Sequence, residues 1–192
     1  MRILGVDTSL TATGLALIDI ATWPPSNPPR QPGEPVSYSA QVVTVGAPKP
    51  TKDKTKQAMA RRVRTLLSDI EEVFKEDRPE HVGMEALAYG ARGEGAWVLP
   101  WIFGEVISLT VEYSVPLTVV ATKARAKFAT GNGNADKQTV LLAVNRLEPE
   151  AEVANDNEAD AMSVGAVVCQ KLGLPIWPVT AYRTDVVSKL GD

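Results

Sequence analysis

Apolar and polar positions along this chain repeat with periods that assign most of its elements. Arg2 to Val6 is a short apolar run with β-branched residues that ends in Asp7 and the polar turn Thr8-Ser9, and a second run follows from Gly14 to Ile18. Two such runs joined by a short polar turn predict a hairpin. The proline-dense stretch Trp23 to Pro35 suits neither a helix nor a central strand, because proline fixes φ and lacks an N–H. It is expected to be an exposed excursion, and Val36 to Val45 reads as a third strand.

The period changes from Lys52. Met59, Val63, Leu66, Leu67, Ile70, Val73 and Phe74 fall at helical spacing until Arg78-Pro79 stops the pattern, so an amphipathic helix is predicted. His81 to Glu85 alternates polar and apolar, with Val82 and Met84 on one face, and reads as a strand ending in a carboxylate. After a glycine-rich loop, Gly90 to Gly95, the run Trp97 to Val111 is too long and apolar for a strand, and Pro100 marks a helix start or a kink. Leu117 to Ala121 reads as a fifth strand, followed by a basic, glycine-rich loop through Gly131 and Gly133. A helix from Asp136 to Leu147 and a last clear helix from about Asp156 through Cys169 complete the pattern.

The order of strands and helices favours an α/β fold, a mixed five-stranded sheet with helices on both faces. One domain over residues 1–173 is expected, with the excursion at 23–35 and a C-terminal extension over 174–192. Composition agrees, since 44% hydrophobic and 22% charged residues are ordinary for a globular chain and exclude wholesale disorder. No apolar run approaches the roughly 20 residues that cross a bilayer, and the N-terminus lacks the layout of a signal peptide, so the cytoplasm is the expected compartment and no membrane partner is expected. The single cysteine, Cys169, lies in an apolar stretch and reads as a small buried residue.

A net charge of −3 disfavours a uniformly basic nucleic-acid binder, but the charge is unevenly distributed. Basic residues concentrate from Lys49 to Arg64 and again at Lys123, Arg125, Lys127 and Lys137, whereas acids concentrate from Glu148 to Asp160.

Three acids stand where element ends can bring them together: Asp7 ending the first strand, Glu85 ending the fourth, and Asp160 in the first turns of the last helix. Parallel strands joined by a crossover present their C-terminal ends on one side, where ligands usually bind. Carboxylates held close together repel one another and call for a cation. An oxygen-only donor set favours Mg2+, with Mn2+ as a substitute, and the lone histidine, His81, stands at the other end of its strand. Each acid taken singly also fits an ordinary role, as a turn former, a helix N-terminal residue or a surface ion pair.

These residues also carry a family resemblance. Ile3-Leu4-Gly5-Val6-Asp7-Thr8-Ser9-Leu10-Thr11-Ala12-Thr13-Gly14 resembles the opening motif of RuvC-type Holliday-junction resolvases, and Val82-Gly83-Met84-Glu85 resembles their second motif. Thr130 to Lys137 is similar to the loop and helix start before their third acidic motif, which Glu158-Ala159-Asp160-Ala161-Met162 resembles. The resemblance implies an RNase H-like fold and a homodimer that hydrolyses phosphodiesters of branched, four-way DNA with one or two metal ions per subunit. It implies Asp7, Glu85 and Asp160 as catalytic metal ligands, with Lys137 as a catalytic and DNA-contacting lysine and Lys127 as a second DNA contact. Arg125 on the same basic loop is a further candidate contact to phosphate, and Tyr89, four residues after Glu85, is a candidate for stacking on an opened base.

Two departures stand out. Where the family usually has an aspartate or histidine three residues before its last catalytic aspartate, this chain has Asn157. Asp156 shares Asp160's helical face and is an alternative ligand, Asn157 can ligate through its amide oxygen, and Glu158 is expected to point elsewhere. The proline-rich excursion has no counterpart in the resemblance. Trp97 and Trp101 share a helix face and are expected in the core or at a dimer seam.

Other classes compete with a nuclease. An actin-like phosphotransferase also opens with an aspartate hairpin, but that fold needs two domains, and 192 residues leave no room for them. A catalytically weak junction-binding module would keep the acids without the chemistry, and Asn157 is the residue that favours it. Metal-dependent nicking of a four-way junction separates these readings.

Overall fold

The computed structural model describes residues 1–21, 33–47, 52–87, 93 and 95–191. Tyr89 and most of the proline-rich excursion lie outside these residues. Five strands, β1 (Arg2–Asp7), β2 (Thr13–Ile20), β3 (Tyr38–Val45), β4 (His81–Glu85) and β5 (Leu117–Val120), form one sheet in the order β3-β2-β1-β4-β5. The first three are antiparallel neighbours, as the predicted hairpin requires, and β4 and β5 run parallel to β1. Six helices are described: α1 (Lys56–Glu76), α2 (Gly95–Glu112), α3 (Thr122–Thr130), α4 (Lys137–Leu147), α5 (Asp156–Lys171) and α6 (Ala181–Ser188). None among the described residues is long and apolar enough to cross a membrane.

Strand alternation divides the core into two layers. Leu4, Val6, Leu15, Val82 and Met84 face α1 and α2, meeting Leu66, Ile70 and Ile102. Ile3, Ala16, Ile18 and Val120 face the opposite layer, where α5 is central. All five residues of β4 are buried because both faces of the sheet are covered, so its polar positions are not a solvent face.

Helix α5 lies almost on the backbone of the sheet. A Cβ at Gly5 would stand 2.1 Å from the Ala161 carbonyl oxygen, one at Gly14 would stand 2.0 Å from the Asn157 carbonyl oxygen, and one at Gly165 would stand 2.5 Å from Ile18 Cδ1. The start of α5 is fixed from both sides. The Asn155 side chain accepts from Glu158 N at 3.1 Å, while Glu158 accepts from Ala154 N and from the Thr44 hydroxyl of β3, both at 2.8 Å. Glu158 therefore points away from Asp160, as its place on the helix predicted.

Two helices escape the periodicity analysis. The basic stretch Lys123 to Lys127, expected as loop, is part of α3, whose alanine-rich sequence favours helix and which stops at Gly131 with φ of 83°. Its buried positions are Arg125, Ala126, Phe128 and Ala129, so the apolar signal is weak. Helix α6 is short and capped by Thr180. Residues 174–191, expected as an extension, are seated in the α5 layer: Val36 N donates to Pro175 O at 2.7 Å, and Trp177 packs 5.7 Å from Phe128 with its indole donating to buried Glu148. Pro100 stands in the second turn of α2, near the position expected for a start or kink.

The packing of α5 generates a stability prediction. Gly5→Ala forces backbone apart and is expected to destabilise the protein by about 2 kcal/mol or more. Gly104→Ala, on the outer side of α2 where an added Cβ meets nothing, is expected to stabilise by about 0.5 kcal/mol through helix propensity. Urea unfolding of the two variants measures both; equal effects would show that α5 does not depend on the Gly5 contact.

Candidate active site

Asp7 and Glu85 end neighbouring parallel strands. Val6 pairs with Met84, so the two acids follow at adjacent C-terminal ends, and alternation turns both toward α5. The turn behind Asp7 is tied by Thr13, a fully buried residue whose hydroxyl donates to Ser9 O and accepts from Ser9 N. Helix α5, pressed onto Gly5 and Gly14, delivers Asp160 from above. Carboxylate oxygens of Asp7, Glu85 and Asp160 lie within 4.8 Å of one another.

Arg125 joins them. It is 5% exposed, with Nη1 donating to Asp160 Oδ1 and Nη2 to Glu85 Oε1 at 3.2 Å. The structure corrects the expectation of a phosphate contact on an exposed loop, because the guanidinium is buried among the acids and both terminal nitrogens are engaged there. Helix α3 accounts for this: it springs directly from β5, whose Val120 pairs with Glu85, and Arg125 N closes the first turn on Ala121 O at 2.9 Å. A signal for this burial was present in the sequence, since Arg125 shares a helical face with Phe128 and Ala129.

The remaining basic candidates are paired with acids. Lys137 opens α4 behind its N-cap Asp136 and forms an ion pair with Asp156, the first residue of α5. Asp156 is thereby drawn below its ordinary carboxylate range, chiefly by the Lys137 hydrogen bond. It stands at the rim, outside the three-acid group. Lys127 is bonded to Asp185 of α6 at 2.7 Å. Asn157 meets β2 through its backbone at Gly14.

Two of the acids, Asp7 and Asp160, hold their protons more tightly than ordinary carboxylates. Burial, followed by the charges of Glu85 and Asp160, pushes the Asp7 carboxyl up to about 8, with Arg125 and Lys137 opposing. Burial raises Asp160 to about 7, against the pull of Arg125. An all-oxygen cluster in which Asp7 and Asp160 resist ionisation is a donor set matched to a hard divalent cation. His81 is no competitor, since it bonds Thr118 at 2.9 Å at the far end of β4. Cys169 is buried, its thiol pushed up to about 12 by that burial, and belongs to the core.

A pH dependence follows. Asp7 and Asp160 hold their protons more tightly folded than unfolded, so the metal-free fold loses stability as pH rises from about 4 through about 8. His81, whose pKa is lowered by burial, contributes the opposite slope below its ordinary value of 6.5. The difference between wild type and Asp7→Asn isolates the cluster: in chelator, the variant is expected to gain in melting temperature over wild type as pH is raised. A constant offset at every pH would mean that Asp7 carries no such strain.

With the geometry in place, the chain can be compared with known proteins. A family model described as crossover junction endodeoxyribonuclease RuvC matches residues 34–169. The RuvC of Paraburkholderia phymatum is 25% identical over 175 residues, covering 90% of this chain and 84% of that protein. The structure of Thermus thermophilus RuvC superposes with a TM-score of 0.62 at 22% identity, covering 93% of this chain and 100% of that one. The same protein in complex with Holliday junction substrate gives 0.62 at 22% identity over 93% and 99% of the respective chains. The mixed sheet with helices on both faces is thus the RNase H-like fold that the resemblance implied, and the chain belongs to the RuvC family of crossover junction endodeoxyribonucleases.

Proposed function

We propose that this chain resolves four-way DNA junctions by metal-dependent phosphodiester hydrolysis, with Asp7, Glu85 and Asp160 as the ligands of Mg2+, for which Mn2+ substitutes. The observation that carries this reading is the convergence of those three carboxylates within 4.8 Å at the C-terminal ends of β1 and β4. A divalent cation bound there supplies an activated water and positive charge against the phosphodiester oxygens.

The chain's own residues do the rest. Asp7 is the most accessible of the three, while Glu85 and Asp160 are buried. Lys137 stands at the rim, in electrostatic reach of Asp7 and Asp160, and its ammonium is placed to meet a phosphate once released from Asp156. Asp156 and Asn157, in the first turn of α5, are the positions from which a further oxygen ligand can be recruited. Such work on DNA supports the cytoplasm of a bacterial or phage-infected cell as the compartment in which it acts.

Two symmetric nicks in a junction of near two-fold symmetry require two clusters, so the active unit is a homodimer. The outer side of α2 supports this, with Val111 73% exposed and Trp97 36% exposed on a helix that is apolar nearly throughout.

Asp7→Asn, Glu85→Gln and Asp160→Asn are each expected to lower junction cleavage by roughly a thousandfold or more while leaving junction binding largely intact. Cleavage and gel-shift assays on one synthetic junction, with fork, flap and linear duplex beside it, measure both. Near-normal cleavage by any of the three would remove that residue from the site, and binding without metal-dependent cleavage by wild type would favour a junction-binding module.

Mixing wild type with Asp7→Asn is expected to give heterodimers that nick one strand of the junction and leave the opposing strand whole. Full resolution in proportion to the wild-type fraction, or a monomer in sedimentation both free and on the junction, would overturn the dimer.

A further inference from the structure

The geometry points to Arg125 as a built-in substitute for a second metal ion, which makes the acid cluster of this chain a site for one divalent cation. This rests on the reading that Asp7, Glu85 and Asp160 hold such a cation.

The guanidinium bridges two acids that come from different elements, Asp160 on α5 and Glu85 on β4, and Asp7 is not among its hydrogen-bond partners. It therefore occupies the deep side of the cluster and leaves the more exposed Asp7 side to the cation. Arg125 engages one oxygen of each acid, Asp160 Oδ1 and Glu85 Oε1, whereas two ions sharing bridging carboxylates about 4 Å apart would need both oxygens of a carboxylate. Arginine cannot yield by deprotonation, because its guanidinium stays charged at any ordinary pH.

Local charge leads to the same stoichiometry. Counted in the charged form that binds a cation, the four carboxylates Asp7, Glu85, Asp160 and Asp156 stand against two cations, Arg125 and Lys137, which leaves two negative charges. One divalent cation neutralises them. A second would leave the site as positive as it had been negative, with the fixed guanidinium in direct repulsion at short range and little water to screen it.

The side chain is also built to stay. Helix α3 is anchored by buried Ala126, Phe128 and Ala129 and stopped at Gly131, so Arg125 cannot retreat with its helix. Its Nε is buried without a hydrogen-bond partner among the described residues, so Asp160 and Glu85 are what hold the guanidinium in place. Withdrawing it from them would leave a buried charge wholly unpaired.

The test is the number of ions bound, read without reference to cleavage. The full chain is titrated with Mn2+ and free Mn2+ is followed by its paramagnetic resonance signal, with melting curves in chelator to show that each variant is folded. Wild type is expected to bind one Mn2+ per chain, and Asp7→Asn to lose it. Arg125→Met, which removes the charge, is expected to bind two, and Arg125→Lys, which keeps it, to remain at one. Two ions in wild type would overturn the inference and leave the metal reading standing; so would one ion in a folded Arg125→Met with unchanged affinity. If Arg125→Met does not fold, the counts for wild type and Arg125→Lys decide, and two ions in either refutes the inference. No bound Mn2+ in wild type would remove the metal reading itself, and this inference with it.

Discussion

The close approach of α5 to β1 and β2 is the contact on which the rest of the structure depends. Glycine at 5, 14 and 165 removes the side chains that would hold helix and sheet apart, and the carbonyl oxygens of Ala161 and Asn157 come to rest where Cβ atoms would otherwise be. Because α5 is nearly buried from Glu158 to Cys169, its seat also fixes the layer formed by α3, α4 and the C-terminal segment. The functional consequence is direct. Asp160 reaches Asp7 and Glu85 only because its helix lies this low, and the network of Asn155, Glu158 and Thr44 at the helix start sets the depth and rotation at which it does so.

That geometry concentrates a repulsion which the surrounding packing must withstand. Asp7 and Asp160 are raised well above ordinary carboxylates even with Arg125 beside them, so the folded chain has an appetite for further positive charge at one place. Around this centre the basic residues are paired with acids, Lys137 with Asp156, and Lys127 together with Lys189 with Asp185. Such partly exposed pairs contribute little to stability. An overall charge of −3 is compatible with DNA as substrate because the charge is unevenly distributed, with exposed lysines at 52, 54 and 56 and buried acids at Glu85 and Asp160.

The two apolar tryptophans of α2 illustrate how local chemistry shapes that surface. Trp97 stacks on Trp101 with ring centroids 6.2 Å apart, and Lys56 Nζ lies 4.4 Å from the Trp97 centroid, so the exposed aromatic is covered on one face by its neighbour and met by a cation from the start of α1. The inner face of the same helix, through Val98, Ile102 and Val106, belongs to the core. The helix thus serves both the core and the outer surface, as its uniform hydrophobicity suggested.

The sequence by itself determined the strands, the long helices and the identity of the three acids, because period-2 and period-3.6 burial is a local property and each acid ends or opens a recognisable element. It also carried enough of the opening, second and last acidic motifs to indicate the family. It did not determine α3 or α6, since one is alanine-rich with a weak apolar face and the other is short, so neither writes a strong period into the chain. Nor did it place Arg125. The face it shares with Phe128 and Ala129 indicates burial once the stretch is helical, but only the crossing of β5 into α3 decides that this guanidinium lies between Glu85 and Asp160. The same holds for Trp177 and the C-terminal segment, whose burial depends on a surface assembled from Phe128, Glu148 and Tyr38, residues that come together only when the whole α5 layer has closed.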